Sequence, residues 1–531
     1  MLNLLLFSCA RVGAPNGGTR DSLAPKFLGS NIDTTRLNVS RTVKELRLDF
    51  DEYVMLKDFN KNFNVSPPIK KIKKVIPSNL ANKYVLIQWE DTLQANTTYN
   101  FNFGNAIVDN NESNPLPYFN FAFSTGDKID DLFVSGTVKD AMTLIKENQT
   151  AKDNKMVVGL YKAGENLDYK QKPDYITKVD EENYFELNFL PKGEFVIIAF
   201  DDENQNSVYD AGKEKVSFLK EKITLDSTSV RGLKLKLYPS KKVVKYKESK
   251  AINGGLLMTF EGNPETVEVK SLSEDLKDFK VTHAKRSDSV NIWFDAEKSN
   301  LGGTVSKQLK LSYFTPTISD TISVSYKAVK DEFKLSNEAG NLIAPENNFV
   351  INTSLPIENL NTSSWKLESD SIAQDFTAKI SEKNPFKILV NSSFKPTKKY
   401  VLTIPKETVS SYYSSNDKSF QFQFEIDKPE NYGSFTAVIK NKPTAKFWVE
   451  LTNEKGEILY SQFTNASEVS FKNLKPATYI ARIRVDNNGN GFWDEADFAQ
   501  NIAAEDVYIF EKEINVRPLW EIKEDWELTN R

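Results

Sequence analysis

The sequence contains very little cysteine or histidine, with one of each among its 531 residues. A single cysteine cannot form a disulfide within the chain, and one Cys with one His cannot supply the ligands of a usual structural zinc site. The composition therefore excludes a small domain stabilised by disulfides or by structural zinc. It also excludes a haem site of the usual kind within the chain.

The chain also lacks a strong charge of one sign and a long apolar run. Its 69 Lys and Arg residues nearly balance its 73 Asp and Glu residues, which leaves a net charge of −4. This balance gives no electrostatic reason to expect nucleic acid, so we predict no nucleic-acid partner. No apolar stretch approaches the roughly 20 residues that a membrane-spanning helix needs.

Aromatic residues, by contrast, are abundant, with 35 Phe and 20 Tyr. They often recur at every second position, as do Phe119, Phe121 and Phe123. Alternation with a period of two predicts strands that bury one face. A chain of this length also exceeds what one hydrophobic core usually serves. We therefore predict an all-β fold of tandem antiparallel β-sandwiches.

One polar loop occurs twice, at residues 202–210 and 486–497. Each copy follows a similar lead-in, in which a Leu precedes a turn with Pro and then an aromatic strand. The two lead-ins are Phe189–Phe195 and Asn473–Tyr479. A strand and loop repeated this far apart in the chain indicate a duplicated domain.

The N-terminus carries the lone cysteine, Cys9, directly after an apolar run and a serine. This pattern resembles the lipobox of bacterial lipoproteins, and the resemblance implies that Cys9 is lipidated. Several acyl chains anchor a protein stably, at ~0.8 kcal/mol for each buried CH₂. Residues 11–21 are rich in Gly, Pro and Asn, which is typical of a flexible tether. We therefore predict an outer-membrane lipoprotein outside the cytoplasm, on the periplasmic face or the cell surface. The alternative is a lone cysteine in a frayed apolar tail.

The first strand-rich region, residues 25–126, resembles the bacterial Ig-like domain of S-layer and Bacteroidota envelope proteins. The matching pieces are Leu93–Tyr99, Asp109–Leu116 and Phe121–Gly126, which occur in the expected order. The pattern returns later, where Phe394–Tyr400 parallels Leu93–Tyr99. The resemblance implies a sandwich fold and an extracytoplasmic setting, but no activity.

The two units that carry the repeated loops resemble transthyretin-like or carboxypeptidase-regulatory-like sandwiches, which are normally scaffolds. The predicted boundaries are 1–24 for the signal remnant, lipobox and tether, 25–126 for an Ig-like domain, 130–240 for a transthyretin-like domain, 251–328 and 330–427 for two Ig-like sandwiches, 430–516 for a second transthyretin-like domain, and 517–531 for a tail. We interpret Lys241–Lys250 as a solvated linker. Trp520 and Trp526 in the tail are expected to fold back onto the last domain or to dock on a partner.

The later loop has the spacing of a calcium-binding loop. Asp486, Asn488 and Asn490 fall at positions one, three and five, and Gly491 falls at six, where a sharp turn is needed. The predicted ligands also include the carbonyl of position seven and the acids of positions nine and twelve, which are Phe492, Asp494 and Asp497. The alternative is a turn whose Asp and Asn side chains bond only their own backbone.

The earlier loop matches the calcium pattern less well. Its candidate ligands share the same spacing and are Asp202, Asn204, Asn206 and Asp210. Ser207 stands where the pattern has Gly, Lys213 stands at position twelve, and Glu214 comes one residue too late. We therefore predict a weaker calcium site here, and no other cofactor.

No catalytic constellation is recognisable, so we predict that the protein is not an enzyme. His283 has no cysteine partner and no Gly-x-Ser-x-Gly motif near it, and it lies in a predicted exposed strand. There is no phosphate-binding loop and no dinucleotide glycine fingerprint. Two carboxylates alone could hydrolyse a glycoside, but repeated sandwiches without a larger domain argue against this.

The predicted role is a scaffold that belongs to an outer-membrane protein complex, whose partners are β-barrel or other envelope proteins and whose task is envelope protein assembly or export. The alternative is a glycan-binding or adhesive surface module, which needs exposed aromatic platforms. Trp89, Trp365 and Trp448 lie in strand-like runs, which favours core packing over a sugar platform.

Overall fold

A computed structural model describes residues 21–144, 155–164, 167–329, 332–338 and 340–528. Cys9 and residues 1–20 of the predicted anchor and tether lie outside this range. The fold is all-β, as predicted, and is built from tandem β-sandwiches. The chain divides into two compact units, and the boundary between them lies between Leu237 and Tyr238. Two short segments that precede this boundary group with the second unit, namely Ala211–Lys213 and residues 141–144. No described helix is long and apolar enough to span a membrane.

The first unit begins with a sandwich that buries alternate residues of its long second strand. Its elements are β1 (Phe27–Ser30), β2 (Glu45–Leu56), α1 (Phe59–Asn62), β3 (Asn64–Ser66), β4 (Ile72–Ile76), β5 (Asn82–Trp89), β6 (Thr98–Gly104), β7 (Ile107–Asp109) and β8 (Phe119–Ser124). One sheet has the order β1-β2-β5-β4, with β7 on β2, and the other has the order β3-β6-β8. Leu46, Leu48 and Phe50 of β2 face a core of Phe and Val side chains.

The second sandwich completes the first unit. Its strands are β9 (Leu132–Asp140), β10 (Met156–Lys162), β11 (Tyr175–Lys178), β12 (Tyr184–Leu190), β13 (Gly193–Asp201), β14 (Val216–Phe218), β15 (Ile223–Leu225) and β16 (Val230–Leu237). One sheet has the order β11-β10-β13-β14, with β15 on β13, and the other has the order β12-β9-β16. The last strand, β16, runs parallel to β9.

The third sandwich opens the second unit. Its strands are β17 (Lys245–Ile252), β18 (Gly255–Glu261), β19 (Glu268–Ser271), β20 (Lys280–His283), β21 (Ser289–Trp293), β22 (Lys307–Phe314) and β23 (Ser319–Tyr326). They form the sheets β17-β18-β21-β20 and β19-β22-β23. The predicted linker at Lys241–Lys250 is therefore wrong in part. Lys245 onwards forms an edge strand whose lysines point to solvent while its backbone pairs with β18.

The fourth sandwich has the longest series of short strands. They are β24 (Leu335–Asn337), β25 (Leu342–Ile343), β26 (Phe349–Thr353), β27 (Asn359–Leu360), β28 (Lys366–Ser369), β29 (Ile372–Ala373), β30 (Phe376–Ser381), β31 (Asn384–Ser392), β32 (Lys399–Ile404), β33 (Val409–Ser410) and β34 (Phe420–Ile426), with 3-10 helices at Thr362–Ser364 and Pro429–Asn431. The two main sheets have the orders β24-β26-β31-β30 and β25-β34-β32-β28-β29, and β27 pairs with β33.

The fifth sandwich ends the described chain. Its strands are β35 (Gly433–Lys440), β36 (Phe447–Thr452), β37 (Ile458–Thr464), β38 (Glu468–Leu474), β39 (Ala477–Val485), β40 (Val507–Ile509), β41 (Ile514–Val516) and β42 (Glu521–Glu527). The sheets are β37-β36-β39-β40, with β41 on β39, and β38-β35-β42. The second and fifth sandwiches thus share one strand order, which agrees with the predicted duplication.

The predicted tail at residues 517–531 is corrected by β42, which pairs in parallel with β35 along its whole length. Trp526 is only 4% exposed and packs on Phe510, whereas Trp520 remains 48% exposed. Folding back therefore holds for one tryptophan of the two. The sandwiches are otherwise antiparallel, with parallel pairing among the described strands at β9–β16, β25–β34 and β35–β42.

Side chains tie the three sandwiches of the second unit to one another. Trp293 of the third sandwich belongs to the core of the fourth, where its ring lies 6.1 Å from that of Phe386. Asn473 of the fifth sandwich donates a hydrogen bond of 2.8 Å from Nδ2 to the carbonyl of Pro345 in the fourth. The third and fifth sandwiches also meet at the later polar loop. These contacts make the second unit one packed body.

Candidate functional site

The two polar loops occupy the same place in their sandwiches. The earlier loop follows β13 and leads to β14, and the later loop follows β39 and leads to β40. Asp202 and Asp486, the first residues of the two loops, are both buried. The duplicated sequence therefore makes a duplicated structure at one end of each sheet.

The first half of the later loop is a set of side-chain to backbone hydrogen bonds. Asp486 accepts from the backbone N–H groups of Asn490 and Gly491, each at 3.0 Å. The Oδ1 of Asn488 accepts from the N–H of Asn490, and the Oδ1 of Asn490 accepts from the N–H of Phe492. Gly491 adopts a φ of 82°, which explains the need for glycine at the sixth position.

The earlier loop repeats this bonding. Asp202 accepts from the N–H groups of Asn206 and Ser207 at 3.0 and 3.1 Å, and Asn204 accepts from Asn206 at 3.0 Å. Ser207 replaces the glycine and still adopts a φ of 61°. Because a left-handed backbone is costly for a residue with a Cβ, we expect this loop to be the less stable of the two.

The acid at position nine closes each loop from the other side. Asp494 accepts from the Nδ2 groups of Asn488 and Asn490, the latter at 2.8 Å. In the earlier loop, Asp210 accepts from Asn204 Nδ2 at 2.6 Å. The structure thus brings together the predicted residues of positions one, three, five and nine in both copies.

A buried glutamate farther along the chain completes each loop, and the sequence prediction missed its role. Glu505 accepts from the N–H groups of Asn488 and Asp494 at 3.2 and 2.9 Å. Glu214 accepts from Glu203 and Asp210 at 3.1 and 2.9 Å. The fixed spacing of a twelve-residue loop excluded both residues. A carboxylate shortly before the next strand was the signal that could have found them.

Asp497, the predicted twelfth ligand, does not close the later loop. Its carboxylate accepts from the N–H of Gln500 at 3.2 Å, and its backbone pairs with Ile502. The chain turns back on itself at this point, which directs Asp497 into its own local turn. Phe492, the predicted carbonyl ligand, places its ring beneath the guanidinium of Arg286, with 4.7 Å between the ring centroid and Cζ.

Burial raises the pKa of both closing glutamates, although hydrogen bonds from backbone N–H groups oppose the shift. The pKa of Glu214 rises to about 7. Burial alone would also raise the pKa of Asp494, but hydrogen bonds from Asn488, Arg286 and Asn490 lower it overall. The later loop therefore keeps a charged Asp494 beside a glutamate that takes up a proton more readily than usual.

The oxygen-rich later loop has the chemistry that calcium prefers, because hard cations take carboxylate, amide and carbonyl oxygens. Its donors are Asp486, Asn488, Asn490, Asp494 and Glu505. Among the described residues, however, no group of three or more His, Cys, Asp and Glu side chains is placed to hold a metal ion. Calcium would need the amides of Asn488 and Asn490 to turn their oxygens towards Asp494. Calcium binding at either loop therefore stays a prediction.

The third sandwich contacts the later loop through one arginine. Arg286 places Nη1 2.7 Å from Asp494 Oδ1 and donates from Nε to Glu265 Oε1 at 2.5 Å. Lys285 lies over the ring of Phe492 at 5.2 Å. His283, on the same sandwich, is half-buried, and its Nε2 lies 3.0 Å from the carbonyl of Ser287. That contact gives the histidine a local structural role.

The tryptophans divide between core and surface. Trp89 and Trp365 are buried, as predicted. Trp448 is not, because its strand turns Phe447 and Val449 inward and places Trp448 on the outer face of the sheet. There it stacks on exposed Phe463 at 4.4 Å, with Arg484 on its other side. The prediction of core packing is therefore wrong for Trp448.

Comparison with protein families identifies one domain of this chain. The bacterial Ig-like domain family (Big_5) matches residues 21–125, which is the first sandwich. The resemblance of this region to a bacterial Ig-like domain is confirmed, and the chain is a multi-domain β-sandwich protein with such a domain. No curated protein matches the chain.

Solved structures of two other proteins show a loose likeness to the chain. Domains 1–6 of the surface layer protein SbsC show 11% identity and a TM-score of 0.16, over 93% of this chain and 67% of that one. The Bacteroides ovatus mixed-linkage glucan utilization locus protein SGBP-B, solved with a heptasaccharide, shows 9% identity and a TM-score of 0.19, over 73% and 94%.

Proposed function

We propose that this protein is a non-catalytic scaffold outside the cytoplasm, anchored to the outer membrane by a lipid on Cys9. In this role it is a subunit of an outer-membrane protein complex that assembles or exports envelope proteins. The observation that carries the proposal is the packing of the second unit, in which each of three sandwiches contacts the other two. A packed body presents its loops and strand edges at set positions, so binding a partner costs less ordering entropy.

The proposed location rests on two features. The first sandwich is a bacterial Ig-like domain, and Cys9 stands after a short apolar run that resembles a lipobox. Labelling of cells with radioactive palmitate tests the anchor. The wild-type protein should take up label and the Cys9→Ala variant should not. An unlabelled wild type, or a labelled variant, would overturn the anchor.

The complex itself is tested by isolation from native membranes in a mild detergent, followed by mass spectrometry. Stoichiometric recovery of a β-barrel or another envelope protein is the expected result. Arg286→Ala should lower this recovery if the packed second unit positions the partner. Lys440→Ala, which removes an exposed ion pair with Asp525 within the fifth sandwich, is the matched control. Recovery of the protein alone would contradict the proposal.

A second candidate function is glycan binding, and it is favoured by the outward placement of Trp448 and Phe463. Aromatic side chains beside polar groups are what a sugar-binding surface needs. A glycan array with the full chain and its Trp448→Ala variant tests this. Trp520→Ala removes an exposed tryptophan elsewhere in the same sandwich and is the control. Binding that only Trp448→Ala abolishes would favour the second function over the first.

A further inference from the structure

The edge strand β37 of the fifth sandwich is open on one side. It pairs with β36, and none of its backbone N–H and C=O groups bonds to another described segment on the outer side. Its sequence, Ile458–Thr464, contains no charged residue, proline or glycine. Natural proteins usually protect an open edge with charges, proline or a covering segment, because an open edge pairs with other chains.

Most of the other long edge strands in the described part of the chain carry such protection. The strands β4, β17, β23, β30 and β42 each contain lysine, aspartate or glutamate. The edge of β8 has no charge either, and among the described residues the outer backbone bonds to it are those of its last residue, Ser124, with Arg36 and Val39. Most long edge strands in the described part of the chain therefore carry charges, whereas β37 carries none and also exposes apolar side chains.

Apolar side chains stand exposed along β37. Ile458, Leu459 and Phe463 are 45%, 49% and 44% exposed. The register shifts near Leu459, so the regular part of the edge runs from Tyr460 to Thr464. An edge with free backbone groups and exposed apolar side chains can bind an added strand, which bonds to the backbone and buries those side chains.

In the second sandwich, which shares the strand order of the fifth, the edge strand equivalent to β37 is covered. There the equivalent strand, β11, is buried at Tyr175, Ile176 and Thr177. The N–H of Ile176 donates to the Oγ of Ser66 at 3.2 Å, and Ser66 ends strand β3 of the first sandwich. The same edge position thus docks a neighbouring β element in one copy and is bare in the other.

A cleft of about 320 Å³ runs beside β37 and carries positive charge. Its walls are Ser461 and Gln462 of β37, the residues Lys472 and Lys475, and the loop around Asn347 of the fourth sandwich. Among the described residues, no aspartate or glutamate lines it. Neither lysine forms an ion pair with any residue in the described part of the chain. A segment that enters this cleft would be favoured if it carried acidic side chains.

We propose that β37 is the docking edge for an extended, acidic segment of a partner protein, which adds to the sheet as a further strand. The proposal rests on the proposed function, because it names the surface through which the scaffold holds its partner. The added strand satisfies the outer backbone groups of β37, covers Leu459 and Phe463, and places its acids near Lys472 and Lys475. Charge complementarity of this kind selects the partner and speeds its association.

Site-specific photocrosslinking in native membranes tests the proposal. A photoreactive residue replaces exposed Ser461 in the full chain, and another replaces exposed Thr321 on β23 as a control for an ordinary edge. The expected result is a crosslink at Ser461 alone, to one peptide that mass spectrometry identifies as an extended acidic segment. No crosslink above the control, or a crosslink to a basic or helical segment, would overturn the proposal.

Charge reversal provides the second arm. Lys472→Glu with Lys475→Glu should lower the crosslink yield at Ser461 by about tenfold, because the cleft would then repel an acidic strand. Lys442→Glu with Lys455→Glu reverses two exposed lysines elsewhere in the same sandwich and should leave the yield unchanged. If the membrane complex is recovered intact while the crosslink is absent, the docking edge is wrong and the scaffold function stands. If no complex is recovered, both fail.

Discussion

Arg286 of the third sandwich and Asp494 of the fifth form an ion pair of 2.7 Å, and each side chain keeps less than a quarter of its surface exposed. The pair joins sandwiches that the fourth sandwich separates in the sequence. It also uses the acid that the calcium pattern places at position nine. The later loop is therefore a structural contact of the second unit, whatever else it binds.

Removal of this arginine should destabilise the second unit. Arg286→Leu removes the guanidinium that bonds to Asp494 and Glu265. Because both bonds involve charged groups, the free energy of unfolding should fall by about 1–3 kcal/mol. Thermal unfolding and hydrogen exchange at residues 486–497 measure the effect. Lys440→Leu breaks an exposed pair and should change stability much less. Equal effects of the two substitutions would show that Arg286 is an ordinary surface residue.

If the later loop binds calcium, calcium should stabilise the folded state by about 2.7 kcal/mol at a concentration of one hundred times Kd, and the melting temperature should rise accordingly. The structure makes the test specific, because Glu505 closes the loop and Asp497 does not. Asp486→Ala and Glu505→Gln should abolish the calcium-induced shift, and Asp497→Ala should keep it. If Asp497→Ala alone abolished the shift, Asp497 would be the closing ligand, as the twelve-residue pattern predicts.

The stability of the second sandwich should depend on pH through Glu214. Its pKa rises to about 7 in the folded state from an ordinary 4.5, so the folded state binds a proton that the unfolded state releases. Stability from this group is present below pH 4.5 and is lost as the pH rises to 7, by up to about 3 kcal/mol. Denaturant unfolding in EDTA measures this slope. Glu214→Gln cannot titrate, so it should flatten the dependence of the free energy of unfolding on pH. An unchanged slope in this variant would mean that other groups cause the dependence.

The outer face of the fifth sandwich holds a buried ion cluster. Glu450 is fully buried between Arg482, at 2.7 Å, and Arg484, at 2.5 Å. Glu450→Leu should cost about 3–5 kcal/mol, since it leaves buried Arg482 without a partner. The second sandwich has Gly159 opposite Ile198 where the fifth has Glu450 opposite Arg482.

An apolar pair is therefore compatible with this fold. Glu450→Leu combined with Arg482→Ile should recover most of the stability that the single substitution loses. Urea unfolding of the two variants gives the comparison. If the double variant were as unstable as the single one, the instability would come from loss of the ion cluster itself and not from an unpaired Arg482.

The last strand should matter more than its place near the chain end suggests. Trp526→Ala removes a buried ring and should cost about 3–5 kcal/mol. Trp520→Ala removes an exposed ring and should be nearly neutral. Fluorescence-detected unfolding of the two variants separates them. If both substitutions had similarly small effects, residues 517–528 would contribute little to stability, as expected of a tail.

The sequence by itself determined the features that depend on near neighbours. Alternation such as Phe119, Phe121 and Phe123 specifies a strand with one buried face, because successive side chains point to opposite sides. The spacing of Asp486, Asn488 and Asn490 specifies a turn, because each side chain reaches a backbone N–H only two to five residues away. The repeat of this loop also revealed the duplicated sandwich.

Tertiary structure alone decided which distant groups meet. Glu505 reaches the later loop because β40 returns beside β39, and Arg286 reaches Asp494 because the third and fifth sandwiches pack together. Trp448 faces outward because Phe447 and Val449 on the other face of the strand pack into the core. Alternation shows that the two faces of a strand differ, but it does not show which face will be buried. β42 belongs to the sheet because it pairs with β35, far away in the sequence. Local bonds follow from local sequence, but partners across sheets depend on how whole strands pack.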